Sequence, residues 1–198
     1  QNLYFSCKKH FAKPVNELSA LSLVVSLAVV KTLEAYITSG PLSIKWPNDI
    51  FYQSAKLSGN LIDIVSSSNS LSTVIIGIGV NINMDQDSGQ ITQAWTSLKK
   101  ITGVEYDRNE IAASLINHLI EFFKEFEEKG FEPFLDIWKG YDYLFNQKIT
   151  LKSTYDEGII ATGIAKGINA QGQLLLEKND GNIQAFVSGD TSIMNLVY

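Results

Sequence analysis

The sequence predicts an α+β fold in which a β-sheet packed with helices is followed by a small C-terminal β-barrel. Three observations predict it. Short apolar runs with strand character fill residues 43–80, and apolar faces at helical spacing occupy residues 18–38 and 107–141. From Lys148 onward the hydrophobic period changes to two. We therefore expect two domains, residues 1–145 and residues 146–198.

Composition is typical of an ordinary globular protein. The 198 residues are 45% hydrophobic and 19% charged, which suffices for one sizeable core and a small appendage. The net charge of −5 predicts no nucleic-acid surface. A single cysteine, Cys7, cannot form an internal disulfide, which is typical of a reducing compartment, and we expect a cytoplasmic protein. Serines and a lysine interrupt the apolar stretch Leu18–Leu33, so it indicates a core helix rather than a membrane span.

The first helix is predicted from Leu18 to Thr38, with Asn16 as its N-cap. Ser19, Ser22 and Ser26 follow helical spacing and share one stripe, which favours a close-packed face over a site.

A second long helix is predicted from residue 107 to residue 128. Asp107 and Glu110 form a capping-box pattern at its start, and Gly130 ends it. A shorter helix is expected over Phe131–Tyr141. His118 has no partner at ligand spacing, so we interpret it as structural.

The stretch Lys45-Trp-Pro-Asn-Asp49 places polar side chains at the end of an apolar run. Pro47 stops the predicted strand because proline lacks an N–H group, so Asn48 follows directly at the strand end. Lys56 and Gly59 precede the next run, which sets a cation beside a position where backbone can approach a ligand.

A third run, Val74–Val80, is almost wholly apolar, which predicts a strand buried on both faces, and it ends in Asn81-Ile-Asn83. Strand ends of one sheet can meet, so we expect five polar residues to lie close together. They are Asn48, Asp49, Lys56, Asn81 and Asn83. Taken one at a time, each also fits a simpler interpretation: a turn, a surface lysine or a strand bulge.

Taken together, these segments resemble the biotin protein ligase family. The core motifs are Lys45-Trp-Pro-Asn-Asp-Ile50, Lys56-Leu-Ser-Gly59 and Ile76-Gly-Ile-Gly-Val-Asn-Ile-Asn83. The flanking matches are Asn2-Leu-Tyr-x-Ser6, Thr96-Ser-Leu98 and Ser188-Gly-Asp190. The resemblance implies a class II aminoacyl-tRNA-synthetase-like ligase core with a mixed β-sheet, followed by an SH3-like barrel. It also implies a glycine- and arginine-rich loop immediately before residue 1.

The resemblance implies a carboxylate activation in two steps. The carboxylate of biotin attacks the α-phosphate of ATP, giving biotinyl-5′-adenylate and pyrophosphate. An acceptor lysine then attacks the mixed anhydride to form an amide. The implied cofactors are ATP and Mg²⁺, with biotin as substrate, and the implied partner is the biotin carboxyl carrier protein of acetyl-CoA carboxylase. Homodimerisation is an open alternative, and neither a membrane nor a nucleic acid is expected as a partner.

By resemblance, Lys56 and Asp49 are the predicted catalytic residues: Lys56 contacts the carboxylate and the α-phosphate, and Asp49 orients the acceptor amine. The predicted biotin-binding residues are Tyr4, Lys56, Gly59 and Gly77. The predicted ATP- or adenylate-binding residues are Asn48, Asn81 and Trp95, with Asn81 also a Mg²⁺ ligand. Tyr4 as a buried edge-strand aromatic and Trp95 as a core tryptophan remain alternatives.

Three positions depart from the family pattern. Asn60 and Asp63 stand where an aliphatic residue and a glutamate are more common, and Met194 stands where an arginine is common. Two other functions stay open. A lipoate-protein ligase shares the fold and the reaction type, and a chain without the arginine-rich loop could be a non-catalytic binding or dimerisation module.

Overall fold

The computed structural model describes residues 1–86, 89, 91–154, 156 and 158–194, which form two antiparallel sheets and four α-helices. The first sheet has the order β1-β5-β4-β3-β2 and the second the order β10-β6-β7-β8-β9. The first sheet contains β1 (Leu3–Phe11), β2 (Leu42–Lys45), β3 (Asp49–Tyr52), β4 (Ala55–Ser67) and β5 (Ser72–Val80). The second contains β6 (Lys148–Lys152), β7 (Ile159–Ile168), β8 (Leu174–Glu177), β9 (Ile183–Phe186) and β10 (Asp190–Ile193).

The helices are α1 (Leu21–Glu34), α2 (Leu98–Thr102), α3 (Arg108–Lys129) and α4 (Leu135–Lys139). Short 3-10 turns precede α1 and α4, at Val15–Leu18 and Glu132–Phe134. The predicted α+β class is confirmed. The sheet was expected to be mixed, but its named strand pairs are all antiparallel. Parallel pairing among the described residues is limited to two isolated bridges, Ile44–Asp142 and Lys56–Trp95.

Helix α1 is buried on nearly every side because it lies between the first sheet and α3. Its apolar residues surround it almost completely, as expected for a helix enclosed by other elements. Together with the preceding 3-10 turn it forms the segment Val15–Glu34, which is long and apolar enough for a membrane span, but 67% of its most apolar stretch is buried, as in a core helix. Thr32 Oγ1 lies 3.0 Å from His118 Nδ1 of α3, so His118 has a structural partner.

The predicted start of this helix is wrong. Asn16 lies within the 3-10 turn Val15–Leu18, and α1 begins only after Ala20, whose side chain caps nothing. The predicted extent of α3 and its start at Asp107 are confirmed, but the Asp107 carboxylate accepts a hydrogen bond from Asn109 N at 2.8 Å and not from Glu110 N as in a capping box. Gly130 closes α3 with a positive φ of 70°.

Strand β5 is not buried on both faces. Burial alternates along it, and Ile75 is 41% exposed. An antiparallel sheet can pack one face on helices and leave the other open, and here the open face carries Gly77 and Gly79. The run Val74–Val80 therefore looks continuously apolar because glycines occupy part of its open side, and not because both faces are covered.

The second sheet is joined to the first through Trp46. Trp46 is 2% exposed, and its Nε1 donates to the backbone oxygen of Gly172 at 3.0 Å. Thr191 Oγ1 of β10 donates to the backbone oxygen of Trp46 at 3.1 Å. Gly172 has a positive φ of 73° and approaches α1 so closely that a Cβ there would lie 2.6 Å from Ala20 Cβ. The predicted boundary between residues 145 and 146 stays a prediction.

Candidate active site

A glycine-floored cavity opens on the face of the first sheet that lies away from the helices. Tyr4 pairs with Gly79, Gly79 with Gly59, and Gly59 with Asp49, so these four residues form one row across four strands. The two central members have no side chains, so the middle of the row is bare backbone. Tyr4 stands at one end and Asp49 at the other, around a cavity of about 660 Å³. That volume falls in the ordinary range for small-molecule sites.

Lys56 and Asp49 form an ion pair at the Asp49 end of this row. Lys56 Nζ lies 2.6 Å from Asp49 Oδ1. Gly59 makes the pair possible, because a Cβ at that position would lie 2.9 Å from Asp49 Oδ1 and 3.2 Å from Lys56 Cε. Gly77 has a different role, since a Cβ there would meet only the backbone oxygen of Leu61 at 3.9 Å. The absence of a side chain at Gly59 therefore leaves room for the ion pair, whereas its absence at Gly77 leaves the cavity open.

Trp95 is held at the cavity by its backbone. The Lys56 N–H donates to Ala94 O at 2.9 Å and the Thr96 N–H donates to Lys56 O at 2.9 Å, which sets Trp95 beside Lys56. Trp95 lines the cavity and is half-buried, so it does not belong to the core. Lys100 Nζ lies 4.0 Å from the centroid of its indole ring, in a cation–π contact that steadies the ring.

Tyr4 is 82% exposed, which contradicts the alternative of a buried edge-strand aromatic. Its neighbour Asn2, to which the sequence assigned no role, is 8% exposed and organises this end of the site. Asn2 Nδ2 donates to Asn81 Oδ1 at 3.2 Å, and Asn2 Oδ1 accepts from the Ile82 N–H at 3.2 Å. Asn2 lies in the matched motif, but only the register of β1 against β5 shows that it reaches Asn81.

Asn48 and Asn81 both line the cavity, but Asn83 does not. Asn83 exchanges two hydrogen bonds with the backbone of Tyr106, at 2.9 and 3.0 Å, which fixes the approach to α3. The expectation that Asn83 joins the other four polar residues is therefore wrong. Sequence reasoning also missed Gly79, because only the strand register places it between Tyr4 and Gly59.

The described residues do not fit a resident metal ion. They contain no group of three or more histidine, cysteine, aspartate or glutamate side chains able to hold one. Asp49, the one carboxylate among the described cavity-lining residues, is paired with Lys56. The amide of Asn81 is engaged at both ends, because Nδ2 donates to Thr96 O at 2.9 Å and Oδ1 accepts from Asn2. The site is thus one cation, one carboxylate and several amides around exposed backbone.

Comparison with known proteins identifies the chain. Residues 3–81 match the Biotin/lipoate A/B protein ligase family, and residues 144–194 match the Biotin protein ligase C terminal domain. The apo structure of biotin protein ligase from Aquifex aeolicus is 31% identical with a TM-score of 0.82, over 98% of this chain and 83% of that one. The chain belongs to the biotin protein ligase family.

Further members of this family match across nearly the whole chain. Aquifex aeolicus biotin protein ligase in complex with biotin and ATP is 32% identical with a TM-score of 0.80, over 98% of this chain and 78% of that one. The bifunctional ligase/repressor BirA of Escherichia coli strain K12 is 32% identical over 193 residues. That match covers 97% of this chain but 58% of BirA, so the chain spans less than two thirds of this curated relative.

Proposed function

We propose that the chain is the catalytic part of a biotin–[biotin carboxyl-carrier protein] ligase, which activates biotin with ATP and transfers it to a lysine of a carrier protein. The observation that carries this proposal is the Lys56–Asp49 pair at the end of the glycine floor. A lysine beside an uncharged backbone floor suits a ligand that is mostly apolar and ends in one carboxylate. Biotin has that form.

In the first step, the biotin carboxylate and the α-phosphate of ATP meet at Lys56. A carboxylate oxygen bonds to the α-phosphorus, and the bond from that phosphorus to the pyrophosphate oxygen breaks. Lys56 Nζ offsets the repulsion between the two anions and stabilises the negative charge that develops on the phosphoryl oxygens. Gly59 and Gly77 let the ligand lie against backbone, and Tyr4 borders it on the far side.

The nucleotide lies toward Trp95 in this proposal. The exposed part of its indole ring offers a surface on which adenine packs, while Asn48 and Asn81 supply amide groups for the phosphate and ribose oxygens. Mg²⁺ arrives with ATP as part of the substrate, since Mg²⁺ is commonly held by substrate phosphates together with few protein oxygens. The predicted ligand role of Asn81 requires its Oδ1 to exchange Asn2 for the ion.

In the second step, the acceptor lysine amine attacks the carbonyl carbon of biotinyl-5′-adenylate, AMP leaves with the bonding electrons, and the proton that the amine loses passes to water. Asp49 accepts a hydrogen bond from the amine and holds it in line. The ion pair supports an order of events in which the adenylate phosphate first occupies Lys56, and Asp49 is then free to meet the amine. We further propose the acetyl-CoA carboxylase carrier protein as acceptor, a cytoplasmic location and a possible homodimer.

Lipoate is the rival substrate, because residues 3–81 match a family that covers biotin and lipoate ligases. The match of residues 144–194 to a biotin protein ligase C-terminal domain favours biotin. The test is pyrophosphate release from ATP by the protein, measured with biotin, with lipoate and with neither acid. Release with biotin alone supports the proposal. Release with lipoate alone assigns the lipoate reaction, and release with neither from folded protein favours the binding module.

A further inference from the structure

A buried polar cluster lies beneath the cavity, between α1 and the segment that carries Asn48. Asn60 of β4 is at its centre; it also borders the cavity and is 5% exposed. Its Nδ2 lies 2.8 Å from Ser26 Oγ, 3.3 Å from the backbone oxygen of Ser22 and 3.3 Å from the backbone oxygen of Asn48. The side chain of Asn60 therefore connects the helix to the segment that precedes Asp49.

Asn48 and Asn60 are also joined through their backbones. The Asn60 N–H donates to Asn48 O at 3.2 Å, and Asn48 Nδ2 donates to Asn60 O at 2.7 Å. One residue earlier, Ser22 Oγ donates to Pro47 O at 3.2 Å. Two successive carbonyl oxygens, of Pro47 and Asn48, are thus held by groups of α1 and β4. Fixing both limits the rotation of this segment and sets where the Asn48 amide lies.

Stability alone does not account for an asparagine at position 60. Its Oδ1 is buried and has no hydrogen-bond partner among the described residues. A buried acceptor without a donor costs free energy, and a leucine, which has the same branched shape, would avoid that cost while giving up the three Nδ2 contacts. The useful part of the side chain is therefore the Nδ2 donor, which reaches Asn48 O.

We propose that Asn60 is a positioning residue for the nucleotide side of the site, acting through Asn48. Its carboxamide holds the Asn48 carbonyl toward α1, so that the Asn48 side chain keeps its bond to Asn60 O and stays ordered at the cavity wall. The proposal rests on the ligase function, because it assigns Asn48 to the binding of ATP or the adenylate. From the sequence, Asn60 is a departure from the family pattern that is expected to alter the pocket floor, which differs from the positioning role proposed here.

The kinetic test compares Asn60→Leu with Ser26→Ala. Ser26→Ala removes one acceptor of the Asn60 amide but leaves the contact with Asn48 O, so it serves as the matched control. We expect Asn60→Leu to lower kcat/KM for ATP in pyrophosphate release by about 10- to 100-fold, as for outer partners that orient a ligand-binding group. Ser26→Ala should retain most of the wild-type value. Asn60→Ser, which also lacks the carboxamide, replaces the leucine variant if that variant does not fold.

Two readouts separate positioning from a merely structural role. The melting temperature of Asn60→Leu should stay close to that of Ser26→Ala, because the leucine removes the unpaired oxygen together with the Nδ2 contacts, and the two effects oppose each other. In an Asn48→Ala background, the kinetic loss from Asn60→Leu should vanish, because the two residues act through one contact. A loss of equal size in both backgrounds would overturn the proposal.

A third readout needs no turnover, so it remains decisive if the protein releases no pyrophosphate at all. The exchange of the Asn48 carboxamide hydrogens, followed by NMR, should be faster in Asn60→Leu than in wild type and Ser26→Ala. Unchanged exchange in Asn60→Leu would overturn the positioning role whatever the activity. Faster exchange in a protein inactive with both acids would support positioning while refuting the ligase proposal.

Discussion

Lys45 and Lys56 each pair with an aspartate, but the two ion pairs lie in different surroundings. Lys56 meets Asp49 at 2.6 Å inside the cavity, where the Asp49 side chain is 15% exposed. Lys45 meets Asp190 of the second sheet at 3.3 Å, where the Asp190 side chain is 66% exposed. The two ends of the motif Lys45–Ile50 therefore have different roles. The residues around Lys45 contact the second sheet, and those around Asp49 form part of the site.

The largest expected difference between the two regions is in catalysis. Lys56→Ala removes the cation at which both substrates meet, so pyrophosphate release should fall by about 10²- to 10³-fold. Lys45→Ala removes a pair that lies outside the cavity and whose aspartate is 66% exposed, so it should leave the rate nearly unchanged. Initial rates at saturating biotin and ATP measure both. Similar losses in the two variants would erase the distinction between the regions.

Gly59→Ala tests whether the cavity depends on the fit of its ion pair. The added methyl group would lie 2.9 Å from Asp49 Oδ1 and would push the pair apart, so we expect a loss of about 10²-fold in kcat/KM. Gly77→Ala is the matched control, because its methyl would meet only Leu61 O at 3.9 Å. It should keep the wild-type melting temperature and lose less activity. Equal losses in the two variants would refute the specific role of Gly59.

At the contact between Trp46 and Gly172, which joins the two sheets, we expect a substitution to lower stability and leave catalysis unchanged. Trp46→Phe removes the donor to Gly172 O and leaves a buried carbonyl unpaired, which costs about 1–3 kcal/mol of unfolding free energy. Urea denaturation measures the cost, and the rate of pyrophosphate release in folded protein should stay close to wild type. If the rate fell while the unfolding free energy held, Trp46 would belong to the site.

The smallest effect is expected at Asp142. This residue forms an isolated bridge with Ile44 of β2, and the next residue, Tyr143, donates its N–H to Ile44 O at 3.0 Å. Burial raises the pKa of Asp142, against the lowering effect of a hydrogen bond from Leu144 N. When a carboxyl group has a raised pKa in the folded state, the folded protein becomes less stable as the pH rises above the ordinary pKa of that group. Asp142→Asn should therefore raise the melting temperature at pH 7, with a gain that disappears as the solution is acidified. A gain independent of pH would contradict this account.

The motifs predicted which residues meet at the site, but not how they meet, because Lys56 and Gly59 lie within β4 rather than at a strand end. Asn48, Asp49, Lys56 and Asn81 all line the cavity, as predicted, although their roles stay predictions. The approximate strands of the second sheet also followed from the period of two, but β10 was not predicted, because Ser188-Gly-Asp190 was interpreted only as a motif.

What the sequence could not supply was register and burial. Gly79 and Asn2 join the site only because β1 pairs with β5 as it does, and no local pattern encodes that pairing. Asn83 lies outside the site because its side chain bonds to the Tyr106 backbone, a contact that no local sequence pattern indicates. The start of α1 was misplaced because Asn16 entered a 3-10 turn instead of capping the helix.

The most direct test of the central claim is to look for the intermediate itself. The wild-type protein and the Lys45→Ala and Lys56→Ala variants are each incubated with biotin and MgATP, passed through gel filtration and analysed by mass spectrometry. We expect biotinyl-5′-adenylate to be retained by the wild type and by Lys45→Ala, and to be absent from Lys56→Ala. Adenylate in equal amounts on both variants, or none on folded wild-type protein, would contradict this expectation.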